Sequence, residues 1–243
     1  MQATPSLRRV ERVRHEIRRR DLEVVRVEAL GPGFVAVTFA GAVLEGFVSA
    51  SFDDHVKLFF GEGDDAVKRD YTPRRYDANR RELTIEFALH GPGHACDWAR
   101  QVQPGQRLVV AGPRGSMIIP ADYDWHLLAG DETALPAIAR RLEELPRGAR
   151  VTVVAQAPQH DRRHFTTAAR LDTHWVDTAE ELLAKVQSLP WPQGEGFVWA
   201  AGEASAMARL RAILAQDKRH SKEAMRVAAY WKRGASAHHE NLE

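Results

Sequence analysis

With 243 residues the chain has room for two domains that each bury a core, and 34 Lys and Arg against 33 Asp and Glu exclude a global field drawing the molecule to nucleic acid or an anionic membrane. Cys96 is the only cysteine, so an internal disulfide framework and a thiolate metal cluster are both excluded. No apolar run approaches the roughly 20 residues of a membrane span and the N-terminus lacks the apolar centre of a secretory signal, so a cytoplasmic protein with no membrane insertion is expected.

Residues 5–20 are strongly basic and place Leu7, Val10, Val13 and Ile17 at near-helical spacing, which predicts a short amphipathic helix on the protein's own surface, a separate N-terminal piece over 1–20. From there the pattern changes to short alternating segments. Residues 22–30, 33–41, 55–61, 82–90 and 107–113 each read as a strand, separated by turn chemistry such as Gly31-Pro32-Gly33 and Pro104-Gly105. Strands repeated without intervening helices predict an antiparallel barrel or sandwich over 21–120. After Pro120 strands at 125–130, 151–156, 174–176, 196–202 and 225–231 alternate with helices at 133–145, 179–189 and 203–216. That alternation predicts an α/β domain over 121–243, its mostly parallel sheet covered on both faces.

The residues able to carry chemistry gather in four stretches. Arg69-Asp70-Tyr71-Thr72-Pro73-Arg74 offers guanidinium groups for phosphate, a ring to stack on a ring and a hydroxyl for a ring nitrogen, which outlines a flavin nucleotide. The same six residues also suit an ordinary strand end followed by a solvated turn. His90-Gly91-Pro92-Gly93-His94-Ala95-Cys96-Asp97-Trp98-Ala99 has small residues that let backbone approach a pyrophosphate, or form a Gly-rich bend. Gly130-Asp131-Glu132-Thr133-Ala134-Leu135-Pro136 lies where a strand gives way to a helix, and Gly202-Glu203-Ala204-Ser205 repeats the arrangement. Two such turns on one edge of a parallel sheet form a ligand crevice. The G-x-G-x-x-G, H-E-x-x-H and G-x-S-x-G patterns are absent, so neither a protein-held metal nor hydrolytic chemistry is expected.

Taken in order, R-x-Y-T-x-R at 69–74, H-G-x-G-x-x-x-x-W-A at 90–99, AGPRGS at 111–116, GDETALPAI at 130–138, AGEAS at 201–205 and YWKRG at 230–234 resemble the siderophore-interacting protein family. These are FAD-dependent ferric-siderophore reductases related in fold to ferredoxin–NADP reductases. The resemblance implies an N-terminal antiparallel FAD-binding β-barrel followed by a C-terminal α/β nicotinamide-binding domain, with the flavin between them. It assigns Arg69 and Arg74 to phosphate, Tyr71 to the isoalloxazine ring, and Thr72 to the redox-active N5; Tyr71 and Thr72 are the implied catalytic pair. His90, Gly91, Gly93, Ala95 and Trp98 are assigned to the pyrophosphate and adenosine half, and Asp131 and Thr133 to the nicotinamide or adenine. His94 departs from the family, in which small residues or Pro are common at that place.

Lys57, Lys232 and Arg233 are the basic residues expected around the flavin to dock an anionic ferric siderophore, whose iron is substrate and not cofactor. Arg162 and Arg163, following the strand at 151–156 with Asp161 placed late, favour NADPH over NADH as electron donor. The implied activity is reduction of ferric siderophores to release Fe(II), with electrons passing from NAD(P)H through FAD. Two alternatives stand beside it: a general flavin-linked NAD(P)H reductase whose acceptor is a protein such as ferredoxin, and a non-catalytic flavoprotein that has kept the fold. A nearly neutral chain without an apolar patch leaves monomer as the expected state.

Overall fold

Alternation of apolar and polar residues builds the first half of the molecule. The computed structural model describes residues 10–61, 63, 66–89, 91, 93–234 and 240–241. Its first nine strands are β1 (Glu11–Arg14), β2 (Arg19–Gly31), β3 (Phe34–Ala40), β4 (Val56–Phe60), β5 (Val67–Tyr71), β6 (Arg75–Asp77), β7 (Glu82–Ala88), β8 (Arg107–Ala111) and β9 (Gly115–Ile118), with helix α1 (His94–Gln101) between β7 and β8. Seven of them form one antiparallel sheet in the order β5-β4-β8-β2-β3-β7-β6. Every second side chain points inward, so Leu22, Val24, Val37, Phe39, Leu58, Leu83, Ile85 and Val110 fill a core with no water access. The sheet curls until its two edge strands, β5 and β6, follow one another in sequence across residues 72–74. This is the antiparallel barrel architecture expected for the first domain.

The N-terminal helix is not formed. Residues 11–14 are strand β1, paired antiparallel with β9, and residues 19 and 20 already belong to β2; residues 5–9 lie outside the described part of the chain. The apolar stripe that suggested a helix has no common destination, since Ile17 is 59% exposed whereas Val10 packs on the second domain's core. Ladder bonds to strands about a hundred residues away satisfy the backbone instead, a long-range term that local periodicity does not contain. Arg20, buried beneath the barrel end, donates to the carbonyls of Val43, Arg18 and Gly112.

The second half alternates as predicted: β10 (Trp125–Gly130), α2 (Leu135–Glu144), β11 (Arg150–Gln156), β12 (Arg170–Val176), α3 (Ala179–Ser188), β13 (Gly196–Glu203), α4 (Ala204–Ala212) and β14 (Met225–Trp231), with a short β15 (Glu240–Asn241) added antiparallel. The sheet order β12-β11-β10-β13-β14-β15 reverses direction between β10 and β13, which opens a crevice at their carboxyl ends. Both faces are covered. Phe197, Trp199 and Ala201 of β13 join Ile138 and Leu142 of α2, while Val198 and Ala200 on the opposite face join Leu182, Met207 and Leu210 of α3 and α4.

The halves are locked together by buried polar contacts. Phe34 and Phe52 from the barrel half sit within the α2-side core, and beside Phe52 the Asp53 carboxylate accepts from Trp199 Nε1 at 2.8 Å and Arg226 Nε at 2.7 Å. Arg140 of α2 donates to the carbonyls of Ser49 and Pro73. Gly33 N–H donates to Asp161 at 2.9 Å, and a Cβ on Gly33 would stand 2.0 Å from that carboxylate, so only glycine permits the approach.

Candidate functional site

Pro73 has no N–H to donate, so β5 stops at Tyr71 and pairing resumes only when Arg74 N–H donates to the carbonyl of Thr84. The result is a seam in the barrel wall facing the second domain. The Tyr71 ring leans on Phe87 at 4.5 Å between centroids, and burial pushes its hydroxyl well above the usual tyrosine range. Thr72 is 7% exposed, and its hydroxyl hydrogen-bonds the hydroxyl of Tyr230, which arrives on β14 from the other domain.

The two arginines of the seam differ. Arg69 lies on β5 opposite Leu58, with one guanidinium nitrogen donating to the carbonyl of Lys68. Arg74 is committed across the domain junction: it donates twice to Glu143 of α2, at 2.6 and 2.9 Å, and its Nε stands 2.9 Å from Glu86. The hydrogen bond from Arg74 in turn holds the Glu143 carboxyl below its ordinary range. Glu86 also pairs with Arg163 at 2.6 Å, whose guanidinium lies over the Phe34 ring. Arg162 donates to Asp177 and to the carbonyl of Ala157. The structure therefore gives Arg74, Arg162 and Arg163 protein partners rather than open phosphate-facing positions.

The glycine stretch leads into a helix instead of a simple bend. Gly93 caps α1 without a side-chain partner, and nothing lies within 4 Å of a Cβ built at Gly91 or Gly93, so the backbone there is open to a ligand. Ala95 and Ala99 of α1 bury against the barrel, and the partly buried Trp98 packs on the core's edge against Phe39, Phe60 and Phe87, anchoring the helix there. His90 lies outside the described residues, and His94 opens α1. Open backbone at a helix start beside a seam that presents Tyr71, Thr72 and Arg69 fits a dinucleotide flavin in chemistry: N–H groups and a cation for phosphate, a ring and a hydroxyl for isoalloxazine.

In the second domain a cavity of about 470 Å³ opens at the carboxyl ends of β10, β11, β13 and β14. Asp131 is its organiser. Its carboxylate accepts from Thr133 N–H at 3.0 Å, from the Thr133 hydroxyl, from Glu203 N–H at 2.8 Å and from Trp231 Nε1 at 2.8 Å, tying three strand ends together. Gly202 is glycine because a side chain there would meet this carboxylate at 2.7 Å. Burial raises the pKa of Asp131 against those four donors, and it lifts neighbouring Glu132 to about 7, burial first and the Asp131 charge second. Glu203 caps α4 by accepting from Ser205 and Ala206. The remaining walls include Glu180, Arg209, Trp231 and Arg233.

Of the expected docking residues, Lys57 pairs with Asp70 on the adjacent strand at 2.7 Å, Lys232 is exposed just beyond β14, and Arg233 borders the crevice. Sequence reasoning missed Tyr230, Glu86, Glu143, Glu180 and Arg209. Tyr230 stood in a stretch already singled out, and the clue was an aromatic pair closing the last buried strand, directly before Lys232.

An antiparallel barrel joined to a mostly parallel α/β sheet with a switch-point crevice defines a ferredoxin reductase-like flavoprotein. Family models sharpen this: the siderophore-interacting FAD-binding domain matches residues 23–68 and 60–117, and the siderophore-interacting protein model matches residues 123–234. The chain belongs to the siderophore-interacting protein family. It is 37% identical to the NADPH-dependent ferric-chelate reductase of Escherichia coli K12, over 91% of this chain and 96% of that protein. It is 32% identical to the ferric vibriobactin reductase ViuB of Vibrio cholerae, over 90% and 92%. Among solved structures, a siderophore utilization protein from T. fusca superposes with a TM-score of 0.85 at 36% identity, covering 96% of this chain and 99% of that one.

Proposed function

We propose that this protein reduces ferric siderophores, drawing electrons from NADPH through FAD and releasing Fe(II). The observation that carries the reading is the hydrogen bond between Thr72 of the barrel seam and Tyr230 of the α/β domain, which brings the expected flavin edge against the strand bordering the nucleotide crevice. When bound, FAD supplies the conversion between a two-electron hydride donor and a one-electron ferric acceptor. The chain's own residues do the rest. Tyr71 offers a ring face in a buried setting, Thr72 a hydroxyl at the flavin's N5 edge, and Arg69 with the α1 backbone the phosphate contacts. Tyr230 and Trp231 close the domain junction against water, and Asp131 holds the crevice floor in place for the donor.

Lys232 and Arg233 supply positive charge beside this junction for an anionic chelate, whereas the Lys57 charge is already shared with Asp70. Fe(II), carrying less charge, is held less tightly by oxygen donors than Fe(III), so reduction frees the metal. No helix among the described residues is long and apolar enough to cross a membrane, and the need for NADPH places the enzyme in the cytoplasm in this reading. The test is anaerobic turnover of the FAD-loaded protein with NADPH and a ferric catecholate, with Fe(II) trapped by a coloured chelator. Fe(II) formation that requires both FAD and NADPH supports the reading; donor oxidation only with ferredoxin present would replace it with the protein-acceptor reading.

A further inference from the structure

The crevice carries an ion pair that nothing in the reading above uses. Arg209 on the second turn of α4 donates both guanidinium N–H groups to Glu180 in the first turn of α3, with NH2 to Oε2 at 2.7 Å. Both side chains line the cavity, and they are 57% and 70% exposed, so the pair stands at its water-facing mouth. An ion pair this exposed contributes little to stability and opens easily. The other crevice carboxylates are placed differently: Asp131 and Glu203 are spent on internal donors, and Glu132 is partly buried against Asp131. Arg162 and Arg163, the basic residues that the sequence offered for a 2′-phosphate, are held by Asp177 and Glu86.

We propose that Arg209 and Glu180 together set donor specificity, an inference that rests on the reading of this crevice as the NADPH site. Arg209 exchanges its carboxylate fork for the 2′-phosphate of NADPH, since a guanidinium binds both groups with the same two parallel hydrogen bonds. Glu180 has the opposite preference: its carboxylate accepts from the free ribose 2′-hydroxyl of NADH and repels the phosphate. The pair thus works as one element with two settings, and the two residues have opposite signs in the choice of donor.

The experiment is equilibrium titration of the full-length, FAD-loaded protein with 2′,5′-ADP and with 5′-AMP at fixed ionic strength, read by calorimetry or by quenching of Trp231, which lines the same cavity. Wild type is expected to bind 2′,5′-ADP more than about tenfold tighter than 5′-AMP. Arg209→Gln should remove most of that difference while leaving 5′-AMP within about twofold, and Glu180→Gln should widen it several-fold. A wild type that does not discriminate the two nucleotides, or an Arg209→Gln protein that keeps the discrimination, overturns the proposal. Parallel turnover with NADPH and a ferric chelate separates the two readings. Iron reduction with unchanged discrimination in Arg209→Gln sinks only the specificity assignment, whereas discrimination carried by Arg209 without any iron reduction sinks only the reductase reading.

Discussion

Thr72 and Arg69 stand three positions apart yet answer to different parts of the ligand. Thr72 is buried at the junction with its hydroxyl on Tyr230, while Arg69 lies on the edge strand β5 and donates to the carbonyl of Lys68. Thr72→Ala should slow flavin reduction by NADPH about tenfold with FAD affinity unchanged. Arg69→Ala should do the reverse, weakening FAD retention, and the two variants are compared by rapid-mixing absorbance and by FAD titration. Glu132 gives a pH signature. Its carboxyl is raised from 4.5 to about 7, so the folded state favours the protonated form. That preference contributes fully below pH 4.5 and is lost as pH rises through 7, leaving a buried charge. Glu132→Gln should therefore raise the melting temperature at pH 8, by the equivalent of at most about 3 kcal/mol, with the gain vanishing near pH 4.5. A gain that is equal at both pH values would contradict this account of Glu132. The seam stood out at this scale because Arg, Tyr and Thr sit within one short string, whereas the Arg74–Glu143 contact joins residues 69 positions apart and no local pattern announces it.

Among elements, those with a strong period were readable and those defined by distant partners were not. β14 occupies the expected residues 225–231, an apolar strand buried under helices. β5 and β6 escaped because charged residues and Pro73 break their alternation, although pairing with β4 and β7 makes them strands. α1 was hidden behind two glycines, and β1 imitated a helix through three chance spacings of apolar residues. The elements on either side of the junction are joined by Glu86 on β7, which is 8% exposed between Arg74 and Arg163. Glu86→Ala leaves Arg163 without its carboxylate and Arg74 with Glu143 alone, a loss of about 3 kcal/mol for a broken buried pair. Urea denaturation should show a lower midpoint and a separation of barrel from α/β unfolding; an unchanged single transition would mean the cluster does not couple the halves.

At the scale of the molecule, near-neutral net charge makes substrate attraction local. Lys232→Ala should raise the KM for an anionic ferric catecholate a few-fold and flatten its salt dependence, with little change for an uncharged dye. Equal effects on both acceptors would place Lys232 outside the docking surface. The central claim is that electrons cross from the α/β crevice to the barrel seam and leave from there to iron. Anaerobic stopped-flow absorbance on the FAD-loaded protein tests it directly: NADPH should bleach the flavin band, and a ferric siderophore added next should restore it with two Fe(II) formed per NADPH consumed. A flavin band that NADPH leaves unbleached, or that stays bleached in the presence of the ferric siderophore, would contradict the account.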